Sequence, residues 1–374
     1  MTDDLATTPA VQGLLERLGL GLLPPPQGDG PTGRNRNAAG RTTTGRAVFV
    51  KQLDARQPDA ARRFRRQLAY EEAAAARPGL LASPECLGWD ADELLIVFEW
   101  LEGARSGSDL ASDEEFDDEL ARKAGEMIGT LHSLPRDALP ARGTGTAEPD
   151  PILLPPLEFF DALPLAYHTQ ASGASLEAWG MLQRDAELAG ALRRLRAEEA
   201  AAPSSFVHGD LRLDQFLLHG GRLRLCDWEE FRRADPARDV GAFVGEWLHR
   251  AVLDIPSKDA ELSGPSPQLS HQDIVERGVA ELNRLRTRNV AFWEGYRAAT
   301  ESARASAPAS AAAAADPALP VRATAFAGWH LIDRMFASAE QRPRLTALDR
   351  AAAGIGRSAV LHPEKFTTVL GLEA

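Results

Sequence analysis

The chain is short of several things. Only two cysteines occur in 374 residues, Cys86 and Cys226, far apart and in no C-x-x-C arrangement. That excludes a disulfide framework and a cysteine-built zinc site. Lysine is scarce beside arginine, a bias that, with frequent Ala and Gly, reflects genome composition more than function. An excess of positive charge is absent: the formal net charge is −12, so nucleic acid is not an expected partner. No apolar run approaches the ~20 residues of a membrane span. The start, MTDDLATT, carries acids where a secretory signal needs positive charge, so the expected compartment is the cytoplasm, with no membrane partner. No internal repeat is visible. What is present is an ordinary supply of apolar residues, 44%, enough for a sizeable core and, at this length, for two lobes.

The informative stretch is FVHGDLRLDQFLLHGGRLRLCDWEEF, residues 206–231. Phe206-Val207 reads as a strand leading into His208-Gly209-Asp210. Phe216-Leu217-Leu218 is a short apolar strand, His219-Gly220-Gly221 a turn, and Leu223 to Cys226 alternates back as the partner strand. Two acids, Asp210 and Asp227, then stand on loops at the ends of neighbouring strands, and the hairpin is expected to bring them together. An amide, Gln215, follows Asp210 by five positions. Phosphoryl transfer asks for this inventory. One carboxylate orients a hydroxyl and accepts its proton, a second holds magnesium on nucleotide phosphates, and an amide at that spacing joins the metal. An isolated His-Gly-Asp carries little, because Gly-Asp turns between strands are common. The amide, the hairpin and Asp227-Trp228-Glu229 together carry much more.

This segment resembles the catalytic and metal loops of the aminoglycoside phosphotransferase and choline kinase-like family, H-G-D-x-x-x-x-N followed by D-[FW]-[EG]. Gln215 departs from the usual Asn: the carbonyl oxygen remains, on a longer side chain. The run from Ala234 to Gly241 is similar to the family's D-P-x-x-D-[LV]-[AG], and the resemblance gives Asp239 the task of supporting the catalytic loop through hydrogen bonds. It implies an α+β, two-lobe, protein kinase-like fold, with residues 1–101 as a small β-rich nucleotide-binding lobe and 102–374 as a large, mainly helical lobe. It further implies ATP and Mg2+ as cofactors, Asp210 as the catalytic residue, and Asp227 and Gln215 as metal ligands.

Upstream, residues 1–22 read as a short amphipathic helix, and 46–51 as a strand ending in Lys51. The stretch before that strand holds Gly33, Asn35, Asn37, Gly40, Thr42-Thr43-Thr44 and Gly45. Such a loop can fold over phosphates and offer its N–H groups. Its glycines lack the G-x-G-x-x-G spacing, and a polar hairpin loop is the plainer reading. By the resemblance Lys51 contacts the α- and β-phosphates, and Asn35 and Asn37 belong to the nucleotide site; from the residues alone Lys51 is a solvated strand-end lysine. Residues 59–76 form a helix with Phe64, Leu68, Glu71 and Ala75 on one face. Kinase-like lobes orient the lysine with a glutamate from this helix, and Glu71 fits better than Glu72; the alternative is a surface charge. An apolar strand at 94–98 leads to Glu99-Trp100-Leu101-Glu102-Gly103, where the resemblance sets adenine against backbone groups of Glu99 and Leu101.

Ser112-Asp113-Glu114-Glu115 reads as a capping box that opens a helix through Leu131, with His132 at its end a structural histidine. Residues 136–205 are an insertion of loops and two helices, 157–167 and 175–200, where Glu158, Asp161, Tyr167 and His168 are acceptor-side candidates that spacing does not fix. Helices are expected at 240–253, 275–299, 321–339 and 345–360, a loop at 257–272, a low-complexity connector at 302–318 and a tail at 361–372. Three stretches, GRNRNAAG–VFVKQL, AFAGWHL–DR and GIGRSAVLHPEKF–LGL, resemble the stand-alone kinases of class V lanthipeptide biosynthesis. That resemblance implies a precursor peptide phosphorylated on Ser and Thr, with a separate lyase as partner. The rival readings are a small-molecule kinase acting on an aminoglycoside or other metabolite, and a nucleotide-binding pseudokinase.

Overall fold

Alternating strands and helices with one apolar face build the first of two units. The computed structural model describes residues 4–25, 35–77, 79, 81–135, 156–255, 271–306 and 316–373. The first unit joins Met1–Asp113 to Asp214–Arg232. Its four-stranded antiparallel sheet has the order β1-β2-β4-β3, from β1 (Arg36–Arg41), β2 (Ala47–Gln52), β3 (Cys86–Asp90) and β4 (Leu95–Glu99). Strand period sorts the side chains. Val48, Val50, Leu95 and Val97 are buried against Val11, Leu14 and Leu15 of α1 (Pro9–Arg17). Ile96 faces the other way and packs with Leu53 and with Ala60 and Phe64 of α2 (Ala60–Ala76). Lys51 is paired with Ile96 across the β2–β4 ladder, so the lysine stands on the α2 face.

The stretch upstream of Lys51 takes the hairpin form. β1 and β2 pair from Arg36↔Gln52 to Arg41↔Ala47, and the turn between them closes with the Thr42 N–H donating to the Arg46 carbonyl at 2.9 Å. Within the turn the Gly45 N–H donates to the Thr42 carbonyl at 2.8 Å, and the Thr43 N–H reaches the Leu22 carbonyl at 2.8 Å. Gly33 lies outside the described residues. A second sheet, β5-β7-β8, carries the hairpin seen in the sequence: β5 (Arg105–Ser106), β7 (Phe216–His219) and β8 (Arg222–Leu225). Gly220 and Gly221 both take positive φ, +56° and +73°, as a two-residue turn matched to strand twist requires.

The expected capping box at Ser112 is not formed. Ser112 is the last residue of α3 (Gly107–Ser112), whose own box pairs Ser106 with Asp109. Glu114 has φ +60° and breaks the chain direction, so Asp117 caps the next helix by accepting from the Leu120 N–H at 2.9 Å.

The second unit comprises Glu114–Leu134, Asp150–Leu213 and Arg233–Ala374. α4 (Asp118–His132) packs on α9 (His271–Ser306), α8 (Ala237–Leu253) on α10 (Leu319–Ala339), and α10 on α11 (Ala347–Leu361). Small residues set the approach: a Cβ on Gly125 of α4 would lie 1.9 Å from the Phe292 carbonyl oxygen of α9. β6 (Ser205–Val207) pairs with β9 (Arg232–Ala234). The insertion is more broken than its periodicity suggests. Residues 157–167 form a 3-10 turn, Leu157–Phe160, and the start of α5 (Leu165–Gln170), because Pro164 interrupts them. The long helix expected at 175–200 is two, α6 (Gly173–Gln183) and α7 (Ala186–Ala201), with Asp185 capping the second. The connector expected from 302 begins later, since α9 runs to Ser306, and the tail contains a helix, α12 (Pro363–Leu370). Most of the loop expected at 257–272 lies outside the described residues. No described helix is long and apolar enough to cross a membrane.

Candidate active site

In the first unit the structure brings Lys51, Asp227, Asn35 and Glu229 together. Lys51 projects from β2 and is buried, 8% exposed. Its ammonium pairs with Asp227 and lies 3.1 Å from Glu229 Oε2. Burial alone would lower this ammonium's pKa, but the two carboxylates outweigh it, and Lys51 titrates above its ordinary range. Asn37 faces Lys51 across the β1–β2 ladder. The Asn35 Nδ2 donates to Glu229 at 3.1 Å. The Oδ1 atoms of Asn35 and Asn37 are buried and accept no hydrogen bond among the described residues. They are two acceptors still to be satisfied beside the lysine.

The loop that carries Asp227 is held by aromatic packing. Trp228 is buried and stacks on Tyr70 of α2, with ring centroids 3.7 Å apart and planes 5° from parallel. Its indole N–H donates to the Leu225 carbonyl at 3.2 Å. Asp227 itself sits at φ +68°, a left-handed conformation that costs free energy outside glycine. The loop's packing fixes it there. Gln215 is buried where β7 begins, and its backbone carbonyl accepts from the Cys226 N–H at 3.0 Å, which puts the amide and Asp227 on neighbouring strand ends. A carboxylate and an amide carbonyl form an oxygen-only donor set, which fits a hard divalent cation that takes its other ligands from water and phosphate. Among the described residues there is no group of three or more His, Cys, Asp or Glu that could hold a metal ion.

Glu71 does not take the lysine. Its carboxylate accepts from Gln67 at 2.7 Å, one turn back on α2, and burial pushes it up to about 7. The acids on Lys51 come from the metal loop instead. At the end of β4 the Glu99 N–H donates to the Glu85 carbonyl at 2.8 Å, and the Leu101 carbonyl accepts from the Ala104 N–H at 2.9 Å. Any base contact there falls to the Glu99 carbonyl and the Leu101 N–H.

In the second unit Asp210 follows β6. Gly209 before it has φ +85°. The Asp210 carboxylate is partly exposed and accepts from Arg212 at 3.0 Å. The loop is fixed from beneath by Asp239, at the start of α8, which accepts from the His208 N–H at 2.7 Å and the Gly209 N–H at 2.9 Å. His132 Nε2 reaches the same carboxylate at 3.1 Å while its Nδ1 meets the Tyr296 hydroxyl at 3.1 Å. Burial would raise Asp239, but the bond from His132 and the positive character of His132 and His208 outweigh it and hold the carboxyl below its usual range. A second acid, the partly buried Glu246 of α8, accepts from the Leu213 N–H at 3.3 Å and pairs with His330 of α10 at 2.7 Å. Burial opposes its charge, yet the His330 bond pulls Glu246 down to about 2.

Sequence reasoning did not single out Tyr70, Arg63, Glu246 or His330. Their partners lie far along the chain (Arg63 and Glu229 are 166 residues apart), and no local spacing marks such a pair.

Solved structures share this architecture. A choline/ethanolamine kinase family protein from Mesorhizobium loti matches at 18% identity and a TM-score of 0.50, over 99% of this chain and 97% of that one. A microcompartment-associated aminopropanol kinase matches at 14% identity and a TM-score of 0.51, over 91% and 92%. The fold is thus the mixed α+β, protein kinase-like one, with an antiparallel-sheet N-terminal region and a large helical C-terminal region. The model of the phosphotransferase enzyme family matches residues 33–262, more than half of the chain, and the chain belongs to that family. It is a kinase with a hydroxyl acceptor, and membership carries the use of ATP and a divalent metal in general. No curated protein matches it.

Proposed function

We propose that the chain is an ATP- and magnesium-dependent kinase in which Asp210 orients the acceptor hydroxyl and takes its proton. As the oxygen–phosphorus bond forms, the bond to the departing ADP breaks. Lys51 contacts the α- and β-phosphates, with Asn35, Asn37, the Glu99 carbonyl and the Leu101 N–H completing the nucleotide site. Asp227 and Gln215 would hold magnesium, which when bound offsets charge on the transferring phosphoryl group. The observation that carries this reading is the buried Lys51 paired with an Asp227 held in a left-handed conformation. Burying an ammonium and straining a carboxylate both cost free energy, and a phosphate–metal site accounts for the two together.

For the acceptor we propose Ser and Thr hydroxyls of a lanthipeptide precursor, from which a separate lyase eliminates the phosphate. The support is the likeness of three stretches of the chain to kinases of that biosynthesis. The second reading is a small-molecule hydroxyl. The test is incubation of the purified protein with ATP, magnesium and either a Ser/Thr-rich precursor peptide encoded nearby or a panel of aminoglycosides, read by mass spectrometry. Phosphate gained on the peptide, and lost in Asp210→Asn, is the expected result. Gain on a small molecule alone replaces the peptide reading. Gain on neither, with nucleotide still bound, moves the chain to the pseudokinase class.

A further inference from the structure

The acid that holds Lys51 comes from the metal loop, and the helix answers it with a cation. Glu229 is buried, 7% exposed. Its Oε2 meets the Lys51 ammonium at 3.1 Å and the Asn35 amide at 3.1 Å. Its Oε1 accepts from the guanidinium of Arg63, the α2 residue that is 1% exposed.

We infer that Glu229 is the positioning residue for Lys51 and that Arg63 positions Glu229, so that α2 acts on the lysine through an arginine and a relayed carboxylate. The inference rests on the kinase reading above. The geometry favours it over Glu71 for two reasons. Glu71 points to Gln67 and makes no ion pair with the lysine. Lys51 and Arg63 are also met by acids of one loop, Asp227, Glu229 and, 3.9 Å from Arg63, Glu230, so neither cation is left to Glu71. A carboxylate with one oxygen fixed by a buried guanidinium keeps its other oxygen aimed as the ammonium turns toward a phosphate. A fork-shaped arginine fixes orientation as well as charge, which a lysine in its place would not.

The experiment measures nucleotide KM and kcat over a magnesium series up to saturation, with a direct titration of ATP–magnesium into each variant. Glu229→Gln keeps the shape and removes the charge. It is expected to raise nucleotide KM roughly tenfold or more with a smaller change in kcat, because the misplaced lysine weakens phosphate binding first. Arg63→Gln shifts KM the same way. The pair Arg63→Gln/Glu229→Gln is no worse than Glu229→Gln alone, since Arg63 works through Glu229. The double variant also leaves no lone buried charge, so it serves if either single variant does not fold. A Glu229→Gln defect that disappears on adding magnesium makes Glu229 a metal ligand and overturns the inference. Additive effects of the two single variants overturn the relay, and a raised KM in Glu71→Gln with none in Glu229→Gln restores Glu71. Wild-type protein that binds no ATP–magnesium overturns the kinase reading itself, a separate failure.

Discussion

Glu71 is a buried carboxylate and Glu246 a partly buried one, and they titrate in opposite directions. Glu246 is paired, and its folded pKa, about 2, lies below the ordinary value of 4.5. Its contribution is present above pH 4.5 and is lost as pH falls toward 2; by linkage it amounts to roughly 3 kcal/mol. Urea unfolding of Glu246→Gln should be weaker than wild type at pH 7 and converge with it at pH 2 to 3. Glu71 is met by an amide, Gln67, where Glu246 is met by an imidazole, and its folded pKa rises to about 7. Its stability is full below pH 4.5 and falls as pH rises through 7, because charging it in the folded state is costly. Glu71→Gln should therefore unfold at higher urea than wild type at pH 8, by roughly 3 kcal/mol, and match it at pH 4. At this scale the sequence was legible where chemistry follows a motif. Asp239 was expected beneath the catalytic loop, and it binds the His208 and Gly209 N–H groups. It was illegible where a charge is met across the fold. Glu71 lay on the right helical face, but periodicity cannot tell which of two unlike charges on a helix, Glu71 or Arg63, the lysine's neighbourhood will use.

Helices α4 and α9 approach as closely as Gly125 allows. Gly125→Ala would drive a methyl into the Phe292 carbonyl, and the helices must part. Loss of about 1–3 kcal/mol and a melting point lower by several degrees are expected. Gly354 of α11 faces open space, with nothing within 4 Å of where an alanine methyl would stand. Gly354→Ala should therefore melt no lower than wild type and gain up to about 1 kcal/mol from helix propensity. Calorimetry of the two variants side by side checks both. Elements with their own punctuation were readable: the β7–β8 hairpin follows from Gly220-Gly221. Boundaries with competing signals were not. Ser112 and Asp117 both precede the same apolar run, and only Glu114's left-handed turn decides for Asp117. The tail expected at 361–372 contains α12, which Pro363 opens, where its missing N–H is no loss.

For the molecule as a whole, the kinase reading predicts linkage between ligand and stability. ATP with magnesium at about 100 times its dissociation constant should stabilise wild-type protein by about 2.7 kcal/mol. A thermal shift should show this, and chelating the metal or substituting Lys51→Ala should abolish most of it; an unchanged shift in Lys51→Ala would remove the lysine from the nucleotide site. The fold class was legible because its signals are many and redundant along the chain, from the lysine strand to the metal loop. The acceptor was not, because acceptor choice depends on which side chains become neighbours in space, and spacing along the chain does not fix that. The Arg63–Glu229 pair has a last consequence, for descent. Glu229 is met by both Arg63 and Lys51, so losing it leaves two buried cations short of a carboxylate, at about 3–5 kcal/mol, while losing Arg63 leaves Glu229 its lysine. Lineages of this enzyme that lack Arg63 should therefore outnumber those that lack Glu229, and chains without Glu229 should carry another acid nearby that rescues the two cations.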